Sequence, residues 1–192
     1  SALRGQYKNL IEQIQRQGSF TPADPAIFQF VSLSNVRLTG VEGKLAYAFA
    51  SGIQLHTGFA KIKGTQILEG VRTPLNSVNP TRWLGGIGYK NPANTLAIDL
   101  NANYSAAKKR EEVADTLTAP ATQFLPTAAT LLDLNVYWRI NKHLSLSAGI
   151  SNLTNKKVWR WSDVIGRANK AVDLDAYTLA PRSLSVAFKT EF

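Results

Sequence analysis

The sequence predicts an all-β fold, a transmembrane antiparallel β-barrel, and three observations lead to that prediction. Apolar and polar residues alternate with a period of two along many segments, as in strands with one oily and one wet face. The connections between these segments alternate between short turns and long polar links. The chain of 192 residues also ends on a phenylalanine that closes one of these segments.

The clearest strand runs from 95 to 106, where Leu96, Ile98 and Leu100 share one parity and polar residues such as Asp99 share the other. We predict about eight strands of roughly 9 to 14 residues, the length that crosses a bilayer at a tilt. Their alternating segments are 3–11, 41–49, 53–59, 83–89, 95–106, 132–140, 144–151 and 183–192. Segment 7–15 is the most helix-like part of the chain, and a helix is the alternative there.

The connections fall into two classes by length. Short turns lie at 50–52, 91–94 and 141–143, and long links lie at 16–26, 66–80, 108–127 and 156–181. Outer-membrane barrels have this asymmetry, with their short turns facing the periplasm. A soluble ligand-binding barrel would also alternate, because periodicity does not say which face is inside. Its loops, however, have no reason to be sorted by side.

The last strand ends in an alternating apolar series, Leu184, Val186, Phe188, Thr190 and Phe192. This series resembles the terminal signal that the assembly machinery of bacterial outer-membrane proteins reads. We therefore interpret Phe192 and Phe188 as an assembly signal. The aromatic residues of the other strands predict two interfacial bands. Phe49, Tyr89 and Trp138 lie near the short turns, and Phe59, Trp83 and Tyr104 lie toward the long links.

Composition argues against several functional classes. The chain has no cysteine and two histidines, which excludes thiolate sites and disfavours a histidine-rich metal site. Glu111 and Glu112 lie beside basic residues and form a solvated charge cluster rather than a catalytic pair. The net charge of +9 is spread over loops and strands, which argues against a nucleic-acid partner. We expect no enzymatic activity and no metal site.

Several segments, in order, resemble TonB-dependent outer-membrane receptors. The hairpin 131–157 carries ISNLTNKK at residues 150–157, similar to the family's penultimate hairpin, and 176–182 (AYTLAPR) is similar to the approach to its final strand. Segments 36–43 (VRLTGVEG) and 74–80 (PLNSVNP) resemble an earlier strand and a proline-bearing loop. One departure is Ala180-Pro181, where many members have Pro-Gly.

The resemblance implies a barrel of about 22 strands closed around a plug. Residues 1–192 would be its carboxy-terminal portion, without a plug domain, in the outer membrane of a Gram-negative bacterium. The implied partners are the remainder of the receptor (plug and upstream strands), the TonB complex, and outer-membrane lipid and lipopolysaccharide. A self-contained eight-stranded outer-membrane barrel remains the structural alternative, because eight strands can just close.

Segment 157–166 (KVWRWSDVIG) is similar to a stretch of the haem and haemoglobin receptor branch. This resemblance implies that the receptor imports haem, taken up free, from haemoglobin or from a haemophore, with no intrinsic cofactor. Trp159 and Trp161 would contact a porphyrin or a protein partner, and Arg160 and Arg167 would pair with carboxylates. The alternatives are that the tryptophans belong to the membrane rim and that the cations meet lipopolysaccharide phosphates.

The two histidines, His56 and His143, are interpreted as structural, because His143 falls in a short turn and His56 lies mid-strand on the polar parity. The haem-ligating histidines of the family are expected upstream of this chain. A ferric-siderophore receptor of the same family is therefore the alternative substrate assignment.

Overall fold

The computed structural model describes residues 1–18, 22–33, 35–68, 70–114 and 123–191, and within these a single antiparallel sheet dominates. The strands are β1 (Ala2–Tyr7), β2 (Leu10–Gln17), β3 (Ile27–Leu33), β4 (Asn35–Ala48), β5 (Ile53–Leu68), β6 (Val71–Pro74), β7 (Arg82–Lys90), β8 (Leu96–Ser105), β9 (Ala129–Arg139), β10 (Leu144–Ser151) and β11 (Ser183–Thr190).

Eight strands follow one another across the sheet in the order β1-β4-β5-β7-β8-β9-β10-β11. The short strand β6 pairs with the last four residues of β5, Thr65–Leu68. These eight correspond to the eight predicted strands. Across the described residues, β1 and β11 are the two edges and do not pair with each other. The self-contained eight-stranded barrel is therefore wrong for this structure, which is an open section of barrel wall. Because open edges cannot face lipid, other strands must pair with both.

The register confirms that the two faces differ in chemistry. Ile98 lies opposite Val136, which lies opposite Ala148 and then Val186 on the next strands. The adjacent row, on the other face, contains Asp99, Asn135, Gly149 and Ser185. Large apolar side chains of the first face are exposed, including Leu45 at 69% and Phe188 at 68%. We call this apolar face outward and the polar face inward, since only lipid would cover such a surface favourably.

A glycine on the inward face makes room for polar neighbours. Gly86 lies between His56 of β5 and Asn101 of β8 in the register. A β-carbon at Gly86 would collide with the His56 ring and would lie 2.7 Å from the Asn101 Oδ1 atom. The His56 ring thus occupies the space beside Gly86 on the inward face, at mid-strand, and its structural role stays a prediction.

The register places aromatic rings at both ends of the outward face. At the long-link end, Phe59 stacks on Trp83 with 5.0 Å between ring centroids, and Trp83 lies opposite Tyr104. At the other end, Tyr89 lies opposite Ile98, and Trp138 lies opposite Leu96. Two bands of amphipathic rings at this spacing are typical of strands that cross a membrane.

Short turns join β4 to β5, β7 to β8 and β9 to β10, all at one end of the sheet. Asn91 closes one of them, because its side-chain oxygen accepts hydrogen bonds from the backbone N–H groups of Thr95 and Leu96 at 2.8 and 2.9 Å. Asn94 takes a φ of 53° in the same turn, a left-handed conformation that asparagine tolerates. The predicted sorting of connections by side is confirmed.

The first long link is shorter than predicted, because β2 and β3 form a separate two-stranded sheet on either side of it. β2 pairs with β3 from Leu10↔Leu33 to Gln17↔Ile27, with a register shift between Gln15 and Gln17. The helical alternative for segment 7–15 is therefore wrong. The cross-strand backbone hydrogen bonds to β3 satisfy these residues, which outweighs their weak helical pattern.

The buried hydrophobic side chains lie at the long-link end rather than under the sheet. One cluster contains Val36 and Leu75, and a second contains Val113, Trp161 and Val164. Among the residues that the structure describes, helical structure is limited to α1 (Trp161–Val164) and two 3-10 turns, Arg110–Glu112 and Leu174–Tyr177. Within the described ranges, no helix has the length and apolar character needed to cross a membrane.

Candidate ligand-binding loops

Three long connections converge at one end of the sheet: 69–81 between β5 and β7, 106–128 between β8 and β9, and 152–182 between β10 and β11. Val113 of the second connection packs with Trp161 and Val164 of the third. Partly buried side chains surround this cluster, namely Phe124, Leu125, Trp159, Leu174 and Tyr177. The described parts of the second and third connections therefore share one apolar core, which fixes them relative to one another.

Trp161 lies at the centre of this core and is only 2% exposed. Its indole nitrogen donates a hydrogen bond to the Asn76 carbonyl at 2.6 Å, which links the third connection to the first. Asn76 also joins the second connection, because its Oδ1 atom accepts from the Ala114 N–H at 2.7 Å. Direct ligand contact by Trp161 is incompatible with this placement, since pairing with further strands can only increase its burial. The Trp161 ring packs inside the loop core instead.

Lys108 is a buried cation beside the same indole. Its ammonium group lies 4.9 Å from the Trp161 ring centroid and donates a hydrogen bond to the Val78 carbonyl at 2.8 Å. Burial lowers the pKa of Lys108, and the Glu112 carboxylate offsets part of that effect. The lysine thus ties the second connection to the first through the Val78 carbonyl and to the third through the Trp161 ring.

Trp159 lies half-buried at the margin of the core. Its indole nitrogen donates to the Leu174 carbonyl at 2.8 Å, and its ring meets the Phe124 ring edge-on at 5.2 Å. The Lys157 ammonium lies 5.6 Å from the ring centroid. Part of this aromatic surface remains available for a ligand, unlike that of Trp161.

The two arginines of the predicted contact set differ in their surroundings. Arg160 is exposed and precedes α1. Arg167 forms an ion pair with Asp173 at 2.5 Å, lies over the Tyr177 ring at 4.2 Å, and hydrogen-bonds the Tyr177 hydroxyl. Arg167 therefore already has a carboxylate partner within its own loop. Of the two guanidinium groups, that of Arg160 is the one presented to solvent.

The family comparison fits this architecture. Residues 1–153 match the family described as TonB dependent receptor-like, beta-barrel. The chain belongs to this TonB-dependent receptor family. Its members are outer-membrane receptors of Gram-negative bacteria, and the match covers the barrel-wall section from β1 to β10.

Relatives within the receptor family share sequence with much of the chain. The chain is 29% identical over 168 residues to the hemoglobin-haptoglobin-binding protein A of Haemophilus influenzae, covering 81% of this chain and 15% of that protein. It is 34% identical over 118 residues to the hemoglobin-haptoglobin utilization protein B of Neisseria meningitidis, covering 57% of this chain and 14% of that protein. The chain thus spans about one seventh of the length of these relatives.

Solved receptor structures share the fold. The whole chain aligns with 28% of the copper transporter OprC at a TM-score of 0.73 and 16% identity. It also aligns with 28% of the ferric enterobactin receptor PfeA of Pseudomonas aeruginosa at a TM-score of 0.62 and 18% identity. At these identities the likeness describes the arrangement of strands.

The receptor-like segment after β10 has a structural explanation. Asn152 is buried with a φ of 51°, and its side chain accepts from the Lys156 N–H at 2.9 Å and donates to the Lys156 carbonyl at 2.8 Å. Asn155 also has a φ of 51°, and its Oδ1 atom accepts from the Arg182 N–H at 2.9 Å. The two asparagines therefore join the start of the long loop to its end.

Sequence reasoning missed Asn76, Lys108 and the role of Asn152. The first two lie in links that read as polar loops, and their burial depends on contacts with residues far away in the chain. A signal was present for Asn152, because asparagine is the residue most tolerant of a left-handed turn after glycine.

Of the two residues predicted as the assembly signal, Phe188 lies in the edge strand β11. Phe188 points outward opposite Leu146 and is 68% exposed. Phe192 lies outside the described residues. The assembly role of both stays a prediction.

The histidines lie away from the loop core. His56 occupies the inward face beside Gly86, and the His143 Nδ1 atom lies 2.8 Å from the Glu191 carbonyl oxygen near the short turns. Across the parts of the chain that the structure describes, no group of three or more His, Asp or Glu side chains is placed to hold a metal ion.

Proposed function

We propose that this chain is a barrel-wall section of an uptake receptor that takes haem from a haemoglobin-type carrier protein and imports it. The observation that supports this most strongly is the sequence relationship to proteins whose names describe binding of haemoglobin and haptoglobin. The receptor would lie in the outer membrane of a Gram-negative bacterium and would carry out no catalysis. Haem would be the transported ligand, and the plug, the upstream strands and the TonB complex would be its partners.

The long-link end has the chemistry of a protein-docking surface. A rigid core holds Trp159 at the margin, with the exposed Arg160 beside it. Further along the same connection, Ile165 is exposed and Val172 is fully exposed. Partly exposed tryptophan and arginine on an ordered base are the residue types that dominate binding energy in protein interfaces. A preorganised base also reduces the entropy lost on binding.

The test uses the complete receptor that contains this chain, in detergent, with haemoglobin as the probe. We expect Arg160→Glu combined with Val172→Asp to weaken haemoglobin binding about ten-fold or more, because both side chains would lie in the interface. Lys142→Glu is the matched control, since Lys142 is exposed at the opposite end of the sheet. Equal affinity in all three proteins would contradict the docking surface.

A second titration separates the substrate classes. Haem added to the complete receptor is expected to give a saturable shift of its Soret band. The alternative of a ferric-siderophore receptor predicts no such shift and tight binding of a ferric catecholate or hydroxamate. That outcome would overturn the haem assignment while leaving the receptor family unchanged.

A further inference from the structure

Basic residues gather on the outward face immediately above the aromatic band. Val41 lies opposite Lys61, Thr39 lies opposite both Arg4 and Lys63, and Arg37 lies opposite Thr65. Arg72 of β6 lies opposite Ile67 on the same parity. Because directly opposed residues and every second residue share a face, these five cations project to one side of the sheet. We define Arg4, Arg37, Lys61, Lys63 and Arg72 as the outward basic patch.

This patch faces the same side as the lipid-facing residues. Phe59 and Trp83 belong to the outward aromatic band, and Lys61 is the next outward residue of β5 after Phe59. The opposite face at this level is occupied instead by the chain itself. The Val78 and Leu75 side chains approach within 2.6 and 2.9 Å of where a Gly64 β-carbon would lie, on the inward parity. The first long connection thus packs inward and leaves the outward basic patch uncovered.

The charge of the patch is not neutralised within the described chain. All five side chains are exposed, and none of them forms an ion pair with a described acidic residue. No acidic residue occupies a described outward position of β1, β4, β5 or β6 at this level. The neighbouring acids of the second connection are engaged with Lys109, Glu111 by its ammonium group and Glu112 by its backbone N–H.

The spacing fits a ligand with more than one phosphate. Lys61 and Lys63 are two residues apart on one strand, about 7 Å, and Arg4 and Lys63 flank Thr39 at about 10 Å, two strand spacings. Cations at this depth, directly above a band of amphipathic rings, meet the headgroups of the surrounding leaflet. Charge-assisted hydrogen bonds from arginine and lysine to phosphate are among the strongest available.

We propose that the outward basic patch is a binding site for the phosphate groups of lipid A, the membrane-embedded part of lipopolysaccharide, in the outer leaflet. A soluble carrier protein approaching from outside meets the loop ends first, whereas this patch faces sideways into the leaflet and continues into the apolar outward face. The site would fix the depth of this wall section in the membrane. It is independent of the proposed haem import.

The test is native mass spectrometry of the complete receptor after delipidation and titration with lipid A in detergent at low ionic strength. We expect the triple variant Arg37→Gln, Lys61→Gln, Lys63→Gln to reduce lipid A occupancy about ten-fold or more, given the attraction contributed by each cation near an anionic leaflet. The matched control removes the same charges from inward positions, Arg82→Gln, Lys44→Gln and Lys90→Gln, and should retain lipid A.

Two further arms identify the ligand chemistry. Dephosphorylated lipid A should bind the wild-type receptor as weakly as lipid A binds the triple variant, and salt should weaken wild-type binding. Equal lipid A occupancy in the triple variant and the control would overturn the proposal. Saturable binding of inorganic phosphate with the same dependence on the patch would overturn it as well. So would a triple variant that loses haemoglobin binding but retains lipid A.

Discussion

At the scale of single residues, the indole of Trp161 connects chain segments that are far apart in sequence. Its hydrogen bond to the Asn76 carbonyl spans 85 residues, and its ring meets both Val113 and the Lys108 ammonium group. A buried aromatic side chain of this size contributes more apolar contact than any other residue type. The order of three connections therefore depends on one side chain.

Trp161→Ala should reduce the free energy of local opening of these connections by about 3–5 kcal/mol, the cost of emptying a site of that size. Hydrogen exchange of the amides in 106–114 and 156–181 measures this. Val172→Ala is the control, because Val172 is fully exposed and its truncation creates no cavity. Unchanged exchange in the Trp161 variant would show that the connections are ordered by something else.

The buried cation beside Trp161 gives the loops a dependence on pH. Since burial lowers the pKa of Lys108 in the folded state, the folded loops bind fewer protons than the unfolded ones between that lowered pKa and the ordinary lysine value. Their free energy of unfolding should therefore rise with pH across this window and be smallest below it.

Lys108→Met removes the titrating group and should flatten this pH dependence. The measurement is loop hydrogen exchange over a pH series, corrected for intrinsic exchange rates and compared with the wild type. Lys109→Met is the matched control, because the Lys109 side chain is 66% exposed. If the Lys109 variant flattened the profile equally, the effect would not come from burial.

The residues predicted to contact a ligand show which structural property a local sequence pattern does not predict. Trp159, Arg160 and Trp161 are consecutive, and their spacing gives no reason to separate their roles. The structure separates them, because the short helix that begins at Trp161 turns that ring toward Asn76 and leaves Arg160 outside. Burial of a loop side chain is decided by partners many residues away, which a local pattern does not contain.

At the scale of elements, the strands follow from their two-residue period, and their faces can be tested by charge. Leu100 is an outward residue of β8 opposite Ile87 and Leu134, whereas Asn101 is inward opposite Asp133. Leu100→Arg should destabilise the barrel by about 2–4 kcal/mol if it lies near mid-bilayer.

Asn101→Arg should cost clearly less, because the inward face is polar and offers the Asp133 carboxylate as a neighbour. Reversible unfolding of the complete receptor in denaturant and lipid measures both variants. Equal costs would contradict the assignment of an apolar and a polar face, and a larger cost for Asn101→Arg would mean that the two faces are reversed.

Two adjacent glycines of β7 allow a matched test of packing. A β-carbon at Gly86 would collide with the His56 ring, whereas at Gly85 the nearest atom is the His56 carbonyl oxygen at 4.0 Å. Gly86→Ala should destabilise by about 1–3 kcal/mol through overpacking. Gly85→Ala should be neutral or stabilising by about 0.4–1 kcal/mol, because it restricts the unfolded chain. The same unfolding assay checks both, and equal values would refute the packing role of His56.

The eight strands of the main sheet, the short turns and the face chemistry were predictable, because each depends on neighbours one or two residues apart. By contrast, β3 was not predicted, and β6 lies within a segment predicted as a long link. Segment 7–15 was ambiguous because its local pattern is compatible with more than one element. The segment forms a strand from Leu10 onward because it pairs with β3. Strand pairing is a long-range property, and a single sequence shows it only where the alternation is strong.

At the scale of the whole molecule, the sheet is an arc with two unpaired edges. The chain aligns with 28% of the OprC chain and 28% of the PfeA chain, so the matching part of each receptor is an arc of the same kind. Exposed backbone groups at β1 and β11 require partners in a membrane. Native mass spectrometry of the detergent-solubilised particle should therefore give a mass far above the 21.0 kDa of this chain. A monodisperse particle of 21.0 kDa would contradict the open arc and restore the small closed barrel.

The shared core of the long connections determines what an antibody outside the cell would meet. Because Trp161, Val113 and Asn76 come from three different connections, the external surface is a composite of segments held in one geometry. A linear peptide copying 156–181 lacks the two other segments, and with them the Val113 contact and the Asn76 carbonyl that hold Trp161 in the core. Antibodies raised against such a peptide would recognise an unfolded chain, whereas immunisation aimed at the native epitope requires the folded barrel wall.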